Sequence, residues 1–472
     1  MPVWLERLIP ILLLLAVVGV VLARLPKADL GHDRAFVRRR FFNWFPLGMT
    51  YAFLYMGRYN LTQAASALAE LIDNHDFGTI KATGTIVYGF SFILNGPLTD
   101  RFGGRATMIV AATGSALTNV AMGLLVQSGH TDDIVRNFSI LYGINMYFQS
   151  FGAVSIVKVN AAWFHLKERG TFGGIFGILI SLGLYFAYDW CGMLARAASG
   201  APEIIPWIFW LPAAILGVFA LANVIWVRDT PGQAGLADFD TGDADWGQEE
   251  HQGGFAEAIA RVGRVGRMML GQPAILVIAG IELCSGFVRS SLMDWYVRFS
   301  DQTHTAGNYI ASNWGMAQCI AGITGGVVAG VISDRVFGSR RGPVAGLLYG
   351  VLLVGSIAMV PVLGVTYGLA SIVCVMMLAV IGVHGMLSGA ASMDFGGKKN
   401  VGIVVGIIDG FVYLGQGAQY LTVSRLVPEG DAAAVMTSWW PWPVAMSVFA
   451  LLGLLLSTRI WNAKPQRNGS AH

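Results

Sequence analysis

The feature that most constrains this 472-residue chain is a recurring apolar run of about twenty residues. The runs fall at 7–24, 41–66, 79–99, 106–127, 138–164, 171–195, 204–227, 272–298, 308–332, 343–363, 366–392, 400–424 and 438–459: one short segment, then twelve. A helix crosses the hydrocarbon of a bilayer in about 20 residues, at about 1.5 Å each. The runs are continuous and do not alternate as barrel strands do, so spanning helices are expected. Composition agrees, with 55% hydrophobic and 12% charged residues, against about 25% charged in a soluble domain. The expected fold class is an all-α, polytopic membrane protein. A formal charge of +3 gives no case for nucleic acid. Cys191, Cys284, Cys319 and Cys374 lack metal-ligand or redox spacing and read as packing residues. No metal site and no cofactor is expected.

Lysine and arginine fix the orientation. One set of connections holds Arg38 to Arg40, Arg101, Arg105, Lys167, Arg169, Arg228, Arg261, Arg264, Arg267, Arg335, Arg340, Arg341, Lys398, Lys399, Arg459, Lys464 and Arg467. The other holds little beyond Arg136, Arg196, Arg298 and Arg425. The first set is expected in the cytoplasm, and twelve spans put both of their ends there. Segment 7–24 reads as an uncleaved extra helix or an interfacial one, because a cleaved signal would send Arg34 and Arg38 to Arg40 across the membrane. The expected organisation is an N-terminal segment and linker (1–37), a six-helix bundle (38–227), a cytoplasmic loop (228–271), a second six-helix bundle (272–460) and a tail (461–472). The loop is acidic in its middle. It ends with Arg261, Arg264 and Arg267 three residues apart, on one helix face that suits anionic lipid headgroups or a solvated connector.

The two bundles repeat one another. "YMGRYN" around Arg58 matches "GFVRSS" around Arg289, and "GPLTDRFGGR" matches "GVISDRVFGSR". Arg58 precedes Asp100 by 42 residues and Arg289 precedes Asp334 by 45. Matching landmarks at matching intervals mean an internal duplication. Two six-helix repeats with binding near the midplane are the layout of a rocking secondary transporter. The two Asp-Arg turns are similar to the shared loop motif of the major facilitator superfamily. Asp100, Arg101, Asp334 and Arg335 are therefore candidate gating residues, the alternative being an ion-paired loop. Glycines at 322, 326 and 330 and at 402, 406 and 410 read as packing stripes.

An intramembrane arginine is costly in lipid and faces the protein interior or a water-filled cavity. Arg58 lies about 25 Å along a helix from Arg40, too far to snorkel back. Arg289 occupies the same depth of the second repeat. Two guanidinium forks converging across a central cavity would clamp a phosphate or carboxylate. Tyr51 and Tyr55 share a helix face with Arg58. The competing reading is an arginine packed under aromatic rings for structure alone.

From about Arg38 to Arg459 the chain resembles the organophosphate:phosphate antiporters of that superfamily, the glycerol-3-phosphate and hexose-phosphate transporters. The resemblance is carried by "YMGRYN", "YFQSFG" through "WFHLKERG", "RDTPGQAGL", "FVRSSLMDW", "SDRVFGSRRG" and "MDFGGKKNVG". It implies the major facilitator fold. It also implies that Arg58 and Arg289 bind the substrate phosphate, with Tyr51, Tyr55 and Tyr413 lining the pathway. The pattern breaks in the fifth helix, where Phe176-Gly177 and Ile180-Ser181 replace Trp-Asn and His-Asn. It breaks again at Phe92, which replaces a lysine.

Other ionisable residues enter the spans. Glu282, two turns before Arg289, reads as a proton-coupling group or as a permanent partner of that arginine. Asp409, four before Tyr413, reads as a substrate contact or an interhelical one. Lys158 is a candidate substrate contact that can also snorkel. His384, alone, reads as packed or hydrogen-bonded, and Asp294 with Trp295 as holding the seventh span to its neighbours. The expected function is exchange of a phosphorylated organic anion for inorganic phosphate by a monomer. The alternatives are proton-coupled transport of another organic anion, or a transporter-derived sensor. No nucleophile–base pair, phosphate loop or metal cluster points to an enzyme.

Overall fold

The computed structural model describes residues 32–129, 132–165, 168–241, 271–338, 340–387 and 401–462, with isolated positions between 12 and 20 and between 260 and 269; the side chains of Ile93, 169–174, Phe176, Asp334, 401–405 lie outside the description. Most of segment 7–24, the centre of the loop, Arg261, Lys398 and Lys399 also lie outside it.

Each of the twelve long apolar segments forms a helix. In chain order they are α1 (Arg34–Ala67), α2 (Asn74–Phe102), α3 (Gly104–Gln127), α4 (Ile134–Trp163), α5 (Arg169–Tyr185), which continues through a π turn into α6 (Cys191–Ala198), α7 (Trp207–Trp226), α8 (Pro273–Gln302), α9 (Trp314–Val336), α10 (Arg341–Val362), α11 (Thr366–His384), α12 (Val401–Val423) and α13 (Pro441–Arg459). Among the described residues nine helices are long and apolar enough to cross a membrane, or up to ten if a bent pair within α2 counts as one span. Helices α1 and α12, with 34 and 23 residues, also have spanning length. Local chemistry sets several ends. The Asp33 carboxylate accepts the Phe36 N–H at 2.7 Å and starts α1. Proline opens α8 and α13, where a missing N–H costs nothing.

The chain divides into two compact units: Met1–Leu71, Leu94–Ile259 and Asn313–Ile323 in one, Ile72–Ile93, Ala260–Ser312 and Thr324–His472 in the other. The boundary therefore passes through α2 and through α9 as well as through the central loop.

In the first unit α1 packs on α4, α5 and α7, and α3 on α4 and α7. The start of α9 belongs here because Asp189, in the π turn, accepts the backbone N–H groups of Gly315 and Met316 at 2.7 and 3.0 Å. A carboxylate on the free N–H groups of a helix start satisfies donors that the helix cannot. Ile178, Tyr185, Met316, Cys319 and Ile323 close an apolar cluster beside it.

In the second unit α8 packs on α11, α12 and α13, and α10 on α11 and α13. Helices α8 and α12 meet backbone to backbone. A Cβ on Gly286 would come within 2.0 Å of the Val412 carbonyl oxygen, and one on Gly415 within 2.0 Å of that of Leu283. In α9 the close contact is made at Gly325, where a Cβ would lie 2.6 Å from the Leu378 carbonyl oxygen. Gly326 and Gly330, expected in the packing stripe, face open space instead. One residue along a helix turns the side-chain direction by about 100°, so the stripe falls on the neighbouring face.

Candidate anion-binding site

Arg58 is 1% exposed on α1. Its Nε donates to Gln149 Oε1 at 2.9 Å, and its guanidinium lies over the Tyr55 ring, 4.7 Å from the centroid. The three-residue spacing anticipated for Tyr55 and Arg58 is what stacks them. Tyr51 touches Tyr55, with ring centroids 5.3 Å apart. Behind the arginine lies a buried polar network. Gln149 Nε2 donates to Ser115 Oγ at 3.0 Å, and Ser115 Oγ donates to Asn145 Oδ1 at 2.6 Å. Asn145 and Asn119 both donate to the Gly57 carbonyl, at 2.9 and 3.1 Å. Asn60 Nδ2 donates to Asn119 Oδ1 at 2.8 Å. Such a network of interlinked side chains fixes a side chain in low dielectric, although the Asn60 Oδ1 has no hydrogen-bond partner among the described residues. Gln149 orients the guanidinium and was not among the residues expected at the site; its place in "YFQSFG" was its only sequence signal.

The second unit holds Arg289, half-buried on α8, and Glu282, fully buried on the same helix. The hydrogen-bond partner of Glu282 is His384, whose Nδ1 lies 3.0 Å from Oε2. Asp409 is half-buried on α12. Tyr413, one turn further, is buried with its ring centroid 4.0 Å from that of Tyr88. Phe92 stacks on Tyr88 at 5.9 Å, so the residue standing where a lysine was expected extends an aromatic wall.

Two buried cations escape the sequence reading. Lys81 of α2 and Asp294 of α8 form an ion pair at 3.2 Å, with side chains 1% and 0% exposed. The Tyr420 hydroxyl also donates to Asp294. Arg298, assigned from sequence to an outer connection, is instead 1% exposed within α8. Its Nε and Nη2 donate to Asn74 Oδ1 at 3.0 and 2.9 Å, and Nη2 also to the Ile72 carbonyl at 3.3 Å. The helix outlasts its apolar run, continuing to Gln302, and carries the arginine inside.

The turn residues lie elsewhere. Lys158 is exposed and pairs with Asp100 at 2.7 Å. Arg101 is exposed, with its guanidinium 5.6 Å from the Phe102 ring. Asp229, from the stretch "RDTPGQAGL", accepts the Arg105 N–H at 2.8 Å beside Gly103, whose φ is +85°. Arg335, Arg264 and Arg267 are exposed, while Asp334 falls outside the described side chains.

The family profile described as Major Facilitator Superfamily matches residues 47–419. The chain belongs to the Major Facilitator Superfamily. It is 28% identical over 395 residues to the glycerol-3-phosphate transporter of Bacillus subtilis (strain 168), covering 82% of this chain and 85% of that one. It is 26% identical over 467 residues to the probable hexose phosphate transport protein of Chlamydia pneumoniae, covering 93% and 96%. It is 23% identical over 432 residues to the membrane sensor protein UhpC of Salmonella typhimurium (strain LT2), covering 88% and 90%. Among solved structures, a D-xylose-proton symporter shares the fold at TM-score 0.65 and 15% identity, over 91% of this chain and 99% of that one. An inward-facing bacterial homologue of the human lysosomal transporter Spinster does so at TM-score 0.66 and 14% identity, over 93% and 100%.

This facilitator is accordingly a multi-pass membrane transporter of the bacterial inner membrane and not an enzyme. Ser181, at one of the positions where the fifth helix departs from the antiporter pattern, is buried and gives its hydroxyl to the Gly177 carbonyl at 2.8 Å. A serine bonded to its own helix has its donor occupied, unlike a pathway histidine.

Proposed function

We propose that this facilitator moves a phosphorylated organic anion in exchange for inorganic phosphate by alternating access. The observation that carries the reading is Arg58: buried in a span, stacked on Tyr55 and oriented by Gln149, with a counterpart, Arg289, at the matching point of the sequence repeat. A permanent cation held by neutral groups in low dielectric is a strong anion ligand. The relatives named for glycerol-3-phosphate and hexose phosphate support the substrate class. In this reading Arg58 and Arg289 bind the phosphoryl oxygens and Tyr51, Tyr55, Tyr413 and Asp409 contact the remainder. Asp100, Arg101, Asp334 and Arg335 act in gating. Lys158, expected as a substrate contact, serves instead as the partner of Asp100. Anionic lipids bind at Arg261, Arg264 and Arg267, and the transporting unit is a monomer.

The decisive experiment is phosphate uptake into proteoliposomes with and without trapped phosphate, beside Arg58→Lys. Uptake that needs internal phosphate and is lost in the variant supports exchange. A folded protein that exchanges no phosphate overturns it. Proton-coupled uptake of another organic anion is the second reading, favoured by Glu282 and by the missing fifth-helix histidine. A protein that binds its anion and signals through a partner would fit the sensor reading, and one relative is named a membrane sensor protein.

A further inference from the structure

The pairing of Glu282 with His384 joins two titratable groups, 102 residues apart in sequence, at 3.0 Å between Oε2 and Nδ1. Glu282 is 0% exposed, and its other oxygen, Oε1, is buried with no hydrogen-bond partner among the described residues. The histidine side chain is 26% exposed, so the pair is closed at the acid and open at the imidazole. A buried carboxylate with one neutral partner and one unsatisfied oxygen is costly, and a proton anywhere on the pair reduces that cost.

Among the described residues the surrounding charges are few. Arg289, from α8 itself, acts electrostatically on both groups, and Asp409 of α12 acts on the histidine. Tyr349 of α10 gives its hydroxyl to the Ile281 carbonyl and is not available to Glu282. Cys284 is a buried thiol on the same helix. Helix α13 brings no titratable side chain before Arg459. With the pair unprotonated, Glu282, Asp409 and Arg289 together carry one net negative charge. One proton makes them neutral.

We propose that Glu282 and His384 form a single proton-binding site whose occupancy is linked to that of an anion at Arg289. The linkage rests on the reading of Arg289 given above; the proton site does not. Without the proton, an incoming anion meets Glu282 and Asp409 already balancing Arg289. With it, the arginine has charge to offer. The protonated form therefore binds the anion more tightly, and by reciprocity the anion-loaded form binds the proton more tightly. The proton enters at His384, the exposed member, and is shared with Glu282 across their hydrogen bond; it leaves by the same route when the anion departs. The substrate thus crosses with a proton, and the carrier can discriminate between ionic forms of one phosphate ester.

The test uses the purified full chain in lipid nanodiscs. Infrared difference spectra are recorded across about pH 5 to 9, the range in which perturbed Glu and His groups titrate. A titrating carboxylic-acid band is expected in the wild type, lost in Glu282→Gln and displaced in midpoint in His384→Gln. Identical titrating bands in wild type and Glu282→Gln overturn the proton site. Should Glu282→Gln not fold, Glu282→Asp keeps the acid but moves it from the imidazole, and an unmoved midpoint overturns the pairing. Inorganic phosphate is then added at fixed pH in weak buffer. The wild type is expected to take up about one proton more per bound phosphate than Glu282→Gln does. Equal uptake by the two overturns the linkage. A wild type that binds no phosphate overturns the exchange reading, while the infrared titration still decides the proton site.

Discussion

Lys81 and Asp294 lie 3.2 Å apart with both side chains sealed from solvent, joining α2 to α8 inside a single compact unit. The Tyr420 hydroxyl completes the contact on the carboxylate side. Removing one member leaves the other as an uncompensated buried charge, which costs about 3–5 kcal/mol. Lys81→Met and Asp294→Leu should each lower the thermal midpoint in detergent, and the double variant should recover much of the loss. A double-mutant cycle in thermal unfolding measures this; additive losses would show that the pair does not interact.

Gln149 holds Arg58 through one hydrogen bond and is itself held by Ser115. Gln149→Leu leaves a buried guanidinium N–H without its acceptor, a penalty of about 1–3 kcal/mol. Phosphate affinity should fall by about tenfold, since 1.4 kcal/mol is a factor of ten. Gln149→Glu should do more, because a carboxylate against Arg58 competes with the anion. Isothermal titration with inorganic phosphate separates the two variants. An unchanged affinity in Gln149→Glu would remove Gln149 from the positioning of the arginine.

Asp189 accepts two N–H groups at the start of α9. Asp189→Ala should cost about 0.5–2 kcal/mol, the usual worth of a helix cap. Hydrogen exchange at Gly315 and Met316 should accelerate while exchange in α10 stays unchanged. Uniform acceleration across both helices would mean that the contact stabilises the whole molecule rather than this helix start.

Lys158 and Asp100 sit at 42% and 47% exposure. An exposed pair is worth about 0–1 kcal/mol, so Lys158→Ala should leave the thermal midpoint within a degree or two of wild type. If the pair gates, the same variant changes the exchange rate without changing phosphate affinity. Counterflow rates and binding, measured on one preparation, distinguish a gate from an idle ion pair.

The spans are legible in the sequence because length and apolarity are local properties. Arg58 is legible because its cost in lipid demands an explanation, and Tyr55 because three residues make nearly one turn. Lys81 is not, since it lies seven residues into α2, near a polar end, and reads as a helix-end cation until Asp294 is seen against it. Arg298 fails for a similar reason: the apolar run stops where the helix does not. Asp189 shows only as an acid in an apolar stretch, and its role depends on a π turn aiming it at a helix more than a hundred residues away. Glu282 is legible as anomalous, but its partner is not. Arg289 shares its helix at a seven-residue interval, whereas the hydrogen bond goes to His384 on α11. Pairings of this kind depend on tertiary packing, which no spacing rule contains.

Gly286 against Val412 and Gly415 against Leu283 interlock α8 and α12 with main chain on main chain. Neither helix can slide on the other without lifting both glycines clear. Arg289 is borne by one helix, Asp409 and Tyr413 by the other, so the three travel as a single rigid tile. The interlock predicts that the spacing among these groups stays constant through whatever motion carries an anion across the membrane. Spin labels on α8 and α12 should report one distance in every state of the cycle.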